Sequence, residues 1–140
     1  MAVSASWYRN GLQLSSACGK VMWTTDTIKF ALGASTYSPN TASHINWSDV
    51  NANEVSGTGY SASGVTASAK TNTISGSVVI LDADDASWAN SSLQARYAWI
   101  YGSASNILLG LVDFGATQTT SNGTFLITWS SSGILNLIAQ

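Results

Sequence analysis

The sequence predicts an all-β fold: a single-domain antiparallel β-sandwich, jelly-roll-like, with an immunoglobulin-like sandwich as the alternative topology. Three observations predict it. Apolar residues alternate in short runs, and no helical stripe lasts beyond two turns. Gly, Asn and Ser punctuate those runs. Six Trp, five Tyr and three Phe supply core rings in a chain of 140 residues, a size that buries roughly two-thirds of the surface of its unfolded chain. The whole chain, 1–140, is read as one domain without repeat or linker.

The elements follow in order. Residues 1–19 are read as an extended N-terminal arm or strand, with 3–9 as the strand candidate and 10–18 as a short helix or turn. Thr27 to Gly33 alternates, with Ile28, Phe30 and Leu32 on one face and Lys29 and Ala31 on the other. Residues 34–59 form a long connection that carries the single proline, Pro39, and a helical turn near Trp47–Val50. Connections of that length serve function or cover a surface. Tyr60 to Ile74 reads as a weak pair of small-residue strands, and Ser77 to Asp82 as a strong strand. Ala95–Tyr101 and Asn106–Phe114 form a hairpin across 102–105. Gly123–Trp129 and Gly133–Ala139 form another across Ser130–Ser132.

Two of these strands are apolar on both faces. Tyr97, Trp99 and Tyr101 oppose Ala98 and Ile100, and 107–112 is aliphatic throughout. An antiparallel strand with one wet face alternates with polar residues. These two therefore need cover outside as well as inside, from the 34–59 connection or from another subunit. Charged residues are only 9% of the chain, against ~25% in ordinary domains, which tilts the reading toward a subunit of an assembly.

Composition excludes several functions. Five Lys+Arg against seven Asp+Glu give net −2, so no basic patch is expected to bind nucleic acid. One cysteine, Cys18, forms no disulfide scaffold and reads as a small buried or half-buried residue. Residues 1–20 lack a basic region followed by an apolar stretch, and no run is long enough to span a bilayer, so neither export nor membrane insertion is expected.

The residues that could do chemistry are few. His44 is the single histidine; it sits in a Ser/Asn-rich loop without a nucleophile motif and reads as a loop histidine. No phosphate-binding glycine loop occurs. Asp82, Asp84, Asp85 and Asp113 are the calcium candidates, since calcium takes six to eight oxygens. The competing reading is turn chemistry, in which Asp accepts from neighbouring backbone N–H groups. No catalytic residue, metal or cofactor is assigned. Trp7, Tyr8, Trp23 and Trp47 lie outside the strongest strands and read as own-core rings, interface anchors or sugar-stacking platforms. The interface reading makes them the candidate contact residues. Arg96 is expected to pair with Asp82, Asp84, Asp85 or Asp113.

The strings Asp26-Thr27-Ile28-Lys29, Trp47-Ser48-Asp49-Val50, Asn53-Glu54-Val55-Ser56-Gly57-Thr58-Gly59-Tyr60 and Leu81-Asp82-Ala83-Asp84-Asp85 carry a resemblance. So do Ala95-Arg96-Tyr97-Ala98, Val112-Asp113-Phe114-Gly115 and Ser121-Asn122-Gly123-Thr124-Phe125. In order and spacing the chain resembles a family of small tailed-bacteriophage structural proteins of the head-decoration or cement type. The resemblance implies a non-enzymatic virion protein on the outer surface of the capsid, assembled in the host cytoplasm. Its implied partners are the phage major capsid protein and further copies of itself, as dimer or trimer. It implies neither nucleic acid nor membrane as a partner. A tail, neck or head-fibre component is the alternative, and a host- or glycan-binding module a further one.

Overall fold

Ile28, Phe30 and Leu32 recur at every second position and all three are buried, so the strand that carries them has one face on a core. The structure, a computed structural model, describes residues 2–138. Its strands are β1 (Ala2–Val3), β2 (Ser6–Trp7), β3 (Ile28–Gly33), β4 (Val65–Thr66), β5 (Thr71–Ser75), β6 (Val78–Asp82), β7 (Ala86–Ser91), β8 (Gln94–Gly102), β9 (Ile107–Thr119), β10 (Gly123–Trp129) and β11 (Leu135–Ile138). One helical turn, α1 (Arg9–Leu12), runs into a π-type turn at Gln13–Ala17, and two 3-10 turns occupy Trp47–Asp49 and Asn51–Asn53.

The strands form an all-β sandwich. A five-stranded sheet, ordered β2-β9-β8-β3-β4, makes one layer. Two three-stranded sheets, β1-β10-β7 and β11-β6-β5, make the other. A core between the layers draws Phe30 and Leu32 from β3, Ala98 and Ile100 from β8, and Leu109 and Val112 from β9. It also draws Trp88 from β7, Phe125 and Ile127 from β10, and Leu81 and Leu135 from β6 and β11. Phe30 and Trp129 meet across the layers with ring centroids 5.0 Å apart. Pairing is antiparallel except where β1 joins β10 in parallel.

The N-terminal segment is strand rather than free arm. Ser6 and Trp7 pair with Leu111 and Gly110 of β9, and the 10–18 region is helical turn as expected. The β8–β9 hairpin forms, turning at Asn106 with φ +63°. The second expected hairpin does not. β10 pairs with β7 and β1, while β11 pairs with β6. After Ser130 the chain crosses between sheets: Gly133 adopts φ +95° with Ile80 against it, and Ile134 N–H donates to the Leu81 carbonyl. Residue 139 of that expected strand lies outside the described residues. β7, which brings Ala86 and Trp88 into the core, was not anticipated.

The outer face of the five-stranded sheet holds a second core. Tyr97, Trp99 and Tyr101 point outward from β8 and are covered by Tyr8, Tyr37, Trp47 and Val50. Trp47 stacks on Tyr101 at 4.4 Å and 6° and meets Trp99 edge-on at 5.6 Å. Tyr37 meets Trp99 edge-on at 5.0 Å. Three of these covering residues belong to the 34–59 connection, which is pinned by a reciprocal cap: Ile45 and Asn46 N–H groups both donate to the Asp49 carboxylate, at 2.9 and 2.8 Å. Those bonds hold the Asp49 carboxyl below its usual range. The chain therefore supplies the outer cover of β8 and β9 itself.

Candidate interaction surface

The sheet β11-β6-β5 lacks such cover. Its central strand reads Val-Val-Ile-Leu-Asp and β11 reads Leu-Asn-Leu-Ile. Register sorts them onto two faces. Thr71, Thr73 and Ser75 stand opposite Asp82, Ile80 and Val78, and Asn136 and Ile138 opposite Ile80 and Val78. The other face carries Asn72, Ile74, Val79, Leu81, Leu135 and Leu137. Leu81 and Leu135 reach the core, while Val78, Val79 and Ile80 are only part-buried. Ile74 is 76% exposed and Ile138 66%. Central-strand side chains of this kind are normally buried on at least one face.

On the Val79 face the sheet walls an open groove of about 290 Å³. Trp7, Val21, Met22 and Trp23 line its other side together with Leu109. Met22 is 55% exposed there. Trp7 Nε1–H donates to the Asn136 carbonyl at 2.9 Å and Trp23 Nε1–H to the Asp82 carbonyl at 2.9 Å, so both indoles are fixed against this sheet.

The edge of the sheet is equally open. All five residues of β5 are exposed. Among the described residues no strand borders β5 on its outer side. Thr-Asn-Thr-Ile-Ser contains neither charge nor proline, the devices by which edge strands ordinarily resist pairing.

The four aromatic contact candidates divide. Trp7 is part-buried and Trp23 is 6% exposed, and both wall the groove. Tyr8 is fully buried and Trp47 is 8% exposed. Those two belong to the second core, which corrects the interface assignment for Tyr8 and Trp47 and removes both as sugar platforms. The Tyr8 hydroxyl bonds that of Tyr37 at 2.8 Å, and Tyr37 Oη lies 3.0 Å from His44 Nδ1. Burial, then the Tyr37 neighbour, pushes the Tyr8 hydroxyl far up from its usual range. Cys18 is exposed, contrary to expectation.

The calcium candidates do not converge. Asp113 on β9 pairs with Arg96 of β8 at 3.2 Å and accepts from Gly115 N–H, with Arg96 holding its carboxyl below the usual range. Asp84 accepts from the Ser68 hydroxyl, and Asp85 from Trp129 N–H at 2.9 Å. Asp82 lies on another sheet from Asp113, with one carboxylate oxygen buried and unpartnered. Among the described residues no three His, Cys, Asp or Glu side chains gather as a metal site. Asp84 and Asp85 accept from residues distant in sequence, Ser68 and Trp129, rather than from neighbouring backbone as the turn reading expected, and Arg96 finds one of its expected partners.

The chain matches no known protein-family model, no curated protein and no solved structure.

Sequence reasoning missed β5, Ile74, Val78, Ile80 and Ile138 as surface candidates. The signal was present: 78–81 is apolar at consecutive positions, the same two-faced pattern noted for β8 and β9.

Proposed function

We propose that this protein is a non-enzymatic structural component of a tailed-phage virion, a decoration or cement protein bound to the outside of the capsid. The observation that carries the reading is the β11-β6-β5 sheet, whose central strand is apolar on both faces at 78–81, only part-buried at 78–80 and beside a groove lined by Trp7 and Trp23. Such a surface suits a lasting contact with another protein. The sequence resemblance supplies the class of partner, the major capsid protein. Low charge agrees with it, because a surface of Ser, Thr and Asn bonds a capsid without long-range repulsion.

Cement function requires no reacting group. It requires a fold that resists opening and a repeated contact, each modest alone and strong on a closed shell. The test is the heat and osmotic survival of phage particles lacking the protein. Earlier rupture, reversed by adding back the purified chain but not an Ile80→Lys variant, is expected. Unchanged survival overturns the cement role.

A further inference from the structure

We infer that β5 is a self-pairing edge: two copies of this chain join antiparallel along Thr71–Ser75 about a two-fold axis, fusing two three-stranded sheets into one of six. The inference concerns the purified chain and stands independently of the virion reading.

Four observations carry it. The outer side of β5 is unpaired and all its side chains are exposed, so backbone donors and acceptors of the strand are available along the edge. A two-fold sets the residue on its axis against its own copy, so a charge there would meet its own kind, and every other residue against its counterpart across the axis. Thr-Asn-Thr-Ile-Ser carries none. With the axis at Thr73, Thr71 opposes Ser75 of the second copy and Asn72 opposes Ile74. Thr–Thr and Thr–Ser hydroxyl pairs then line one face, and such cross-strand pairs are favourable. Because the axis runs perpendicular to the sheet, each face continues into its like. The exposed Ile74 of one copy is extended by Asn72, Val79 and Leu137 on the groove face, and a two-fold contact of this kind closes on itself.

Area sets the strength. Five residues make an edge about 17 Å long. With side chains on both faces about 20 Å deep, the pair buries roughly 700 Å² in total, under the ~1,200 Å² of durable complexes. The dimer is therefore weak in free solution and forms only at high protein concentration. It becomes populated where copies are held close together.

Sedimentation equilibrium from micromolar to millimolar concentration tests the inference on three proteins, each checked for an unchanged thermal midpoint. The unmodified chain is expected to show a monomer–dimer equilibrium. Thr73→Lys, which sets two ammonium groups opposite each other on an exposed strand, is expected to remain monomeric. The double variant Thr71→Lys with Ser75→Glu places opposite charges across both ends of the axis, and Lys at 71 also neighbours Asp82. It is expected to dimerise several-fold more tightly in low salt and to lose that gain in high salt. A monomer at millimolar concentration, a Thr73→Lys variant that dimerises like the parent, or a trimer or open polymer overturns the inference. If Thr73→Lys is monomeric but the double variant gains nothing, the axis at Thr73 is overturned.

Discussion

Replacing Trp47 by Ala tests whether the 34–59 connection is structural cover or a displaceable flap. Trp47 is 8% exposed and packs on Tyr101 and Trp99. A Trp side chain presents up to about 250 Å². Burying nine-tenths of that at ~25 cal/mol per Å² gives an upper figure near 6 kcal/mol. Discounting for residual burial in the unfolded chain leaves about 3.5–5 kcal/mol, within the usual range for deleting a core Trp. At ~2.1 cal/mol/K per residue of unfolding entropy, one kcal/mol moves the midpoint of a chain this long by about 3.5 °C. The expected loss is therefore roughly 12–17 °C by circular dichroism, with earlier proteolysis inside 34–59. A loss under about 3 °C would refute the argument that this connection builds a second core, and the outer face of β8 would again require another subunit.

Further outcomes follow from particular contacts. Gly64 sits at φ +80°, where an added Cβ would lie 1.9 Å from the Phe30 carbonyl oxygen; Gly64→Ala should cost at least about 2 kcal/mol in denaturant unfolding, and a neutral result contradicts the β3–β4 register. Burial raises the Tyr8, Tyr60 and Tyr101 hydroxyls, with Glu54 adding to the effect at Tyr60 through a 2.6 Å bond. A raised folded value means that this stability is whole below the unfolded value near 10 and is lost as pH climbs above it. Tyrosinate absorbance should therefore rise for these three in one cooperative step together with unfolding; gradual ionisation before unfolding contradicts their burial. Asp113 is held low by Arg96, so its contribution is present above the unfolded carboxyl value and fades as pH falls through the folded one. Both partners are largely solvated, so Asp113→Asn should move the acid-unfolding midpoint only slightly; a large shift would show a pair far stronger than its exposure allows.

Much of the strand content was legible because period-two patterns report burial directly: 28–32 and 97–101 each place the expected residues inward and outward. Pairing was less legible. Ser130–Ser132 looks like a hairpin turn, yet the decisive contacts, Gly133 against Ile80 and Ile134 N–H on the Leu81 carbonyl, join residues about fifty positions apart. β7 escaped because Ala and Ser surround its one large residue, Trp88, so the alternation is faint. The site was half legible. Two-sided apolar strands signal a need for cover, but 34–59 supplies it for β8 and β9, and the strand left wanting is β6. Trp7 and Trp23 stand beside that sheet and Trp47 does not, a division set by tertiary folding of the connections.

The proposed role places this chain on the outside of a capsid shell. Quantitative mass spectrometry of purified particles tests it most directly, as copies relative to the major capsid protein. Decoration of the whole shell predicts roughly one copy for every one to three capsid subunits, since a closed symmetric assembly repeats the same contact on each of its subunits. A handful of copies per particle would place the protein at the tail, neck or a vertex, and complete absence would contradict the virion assignment itself.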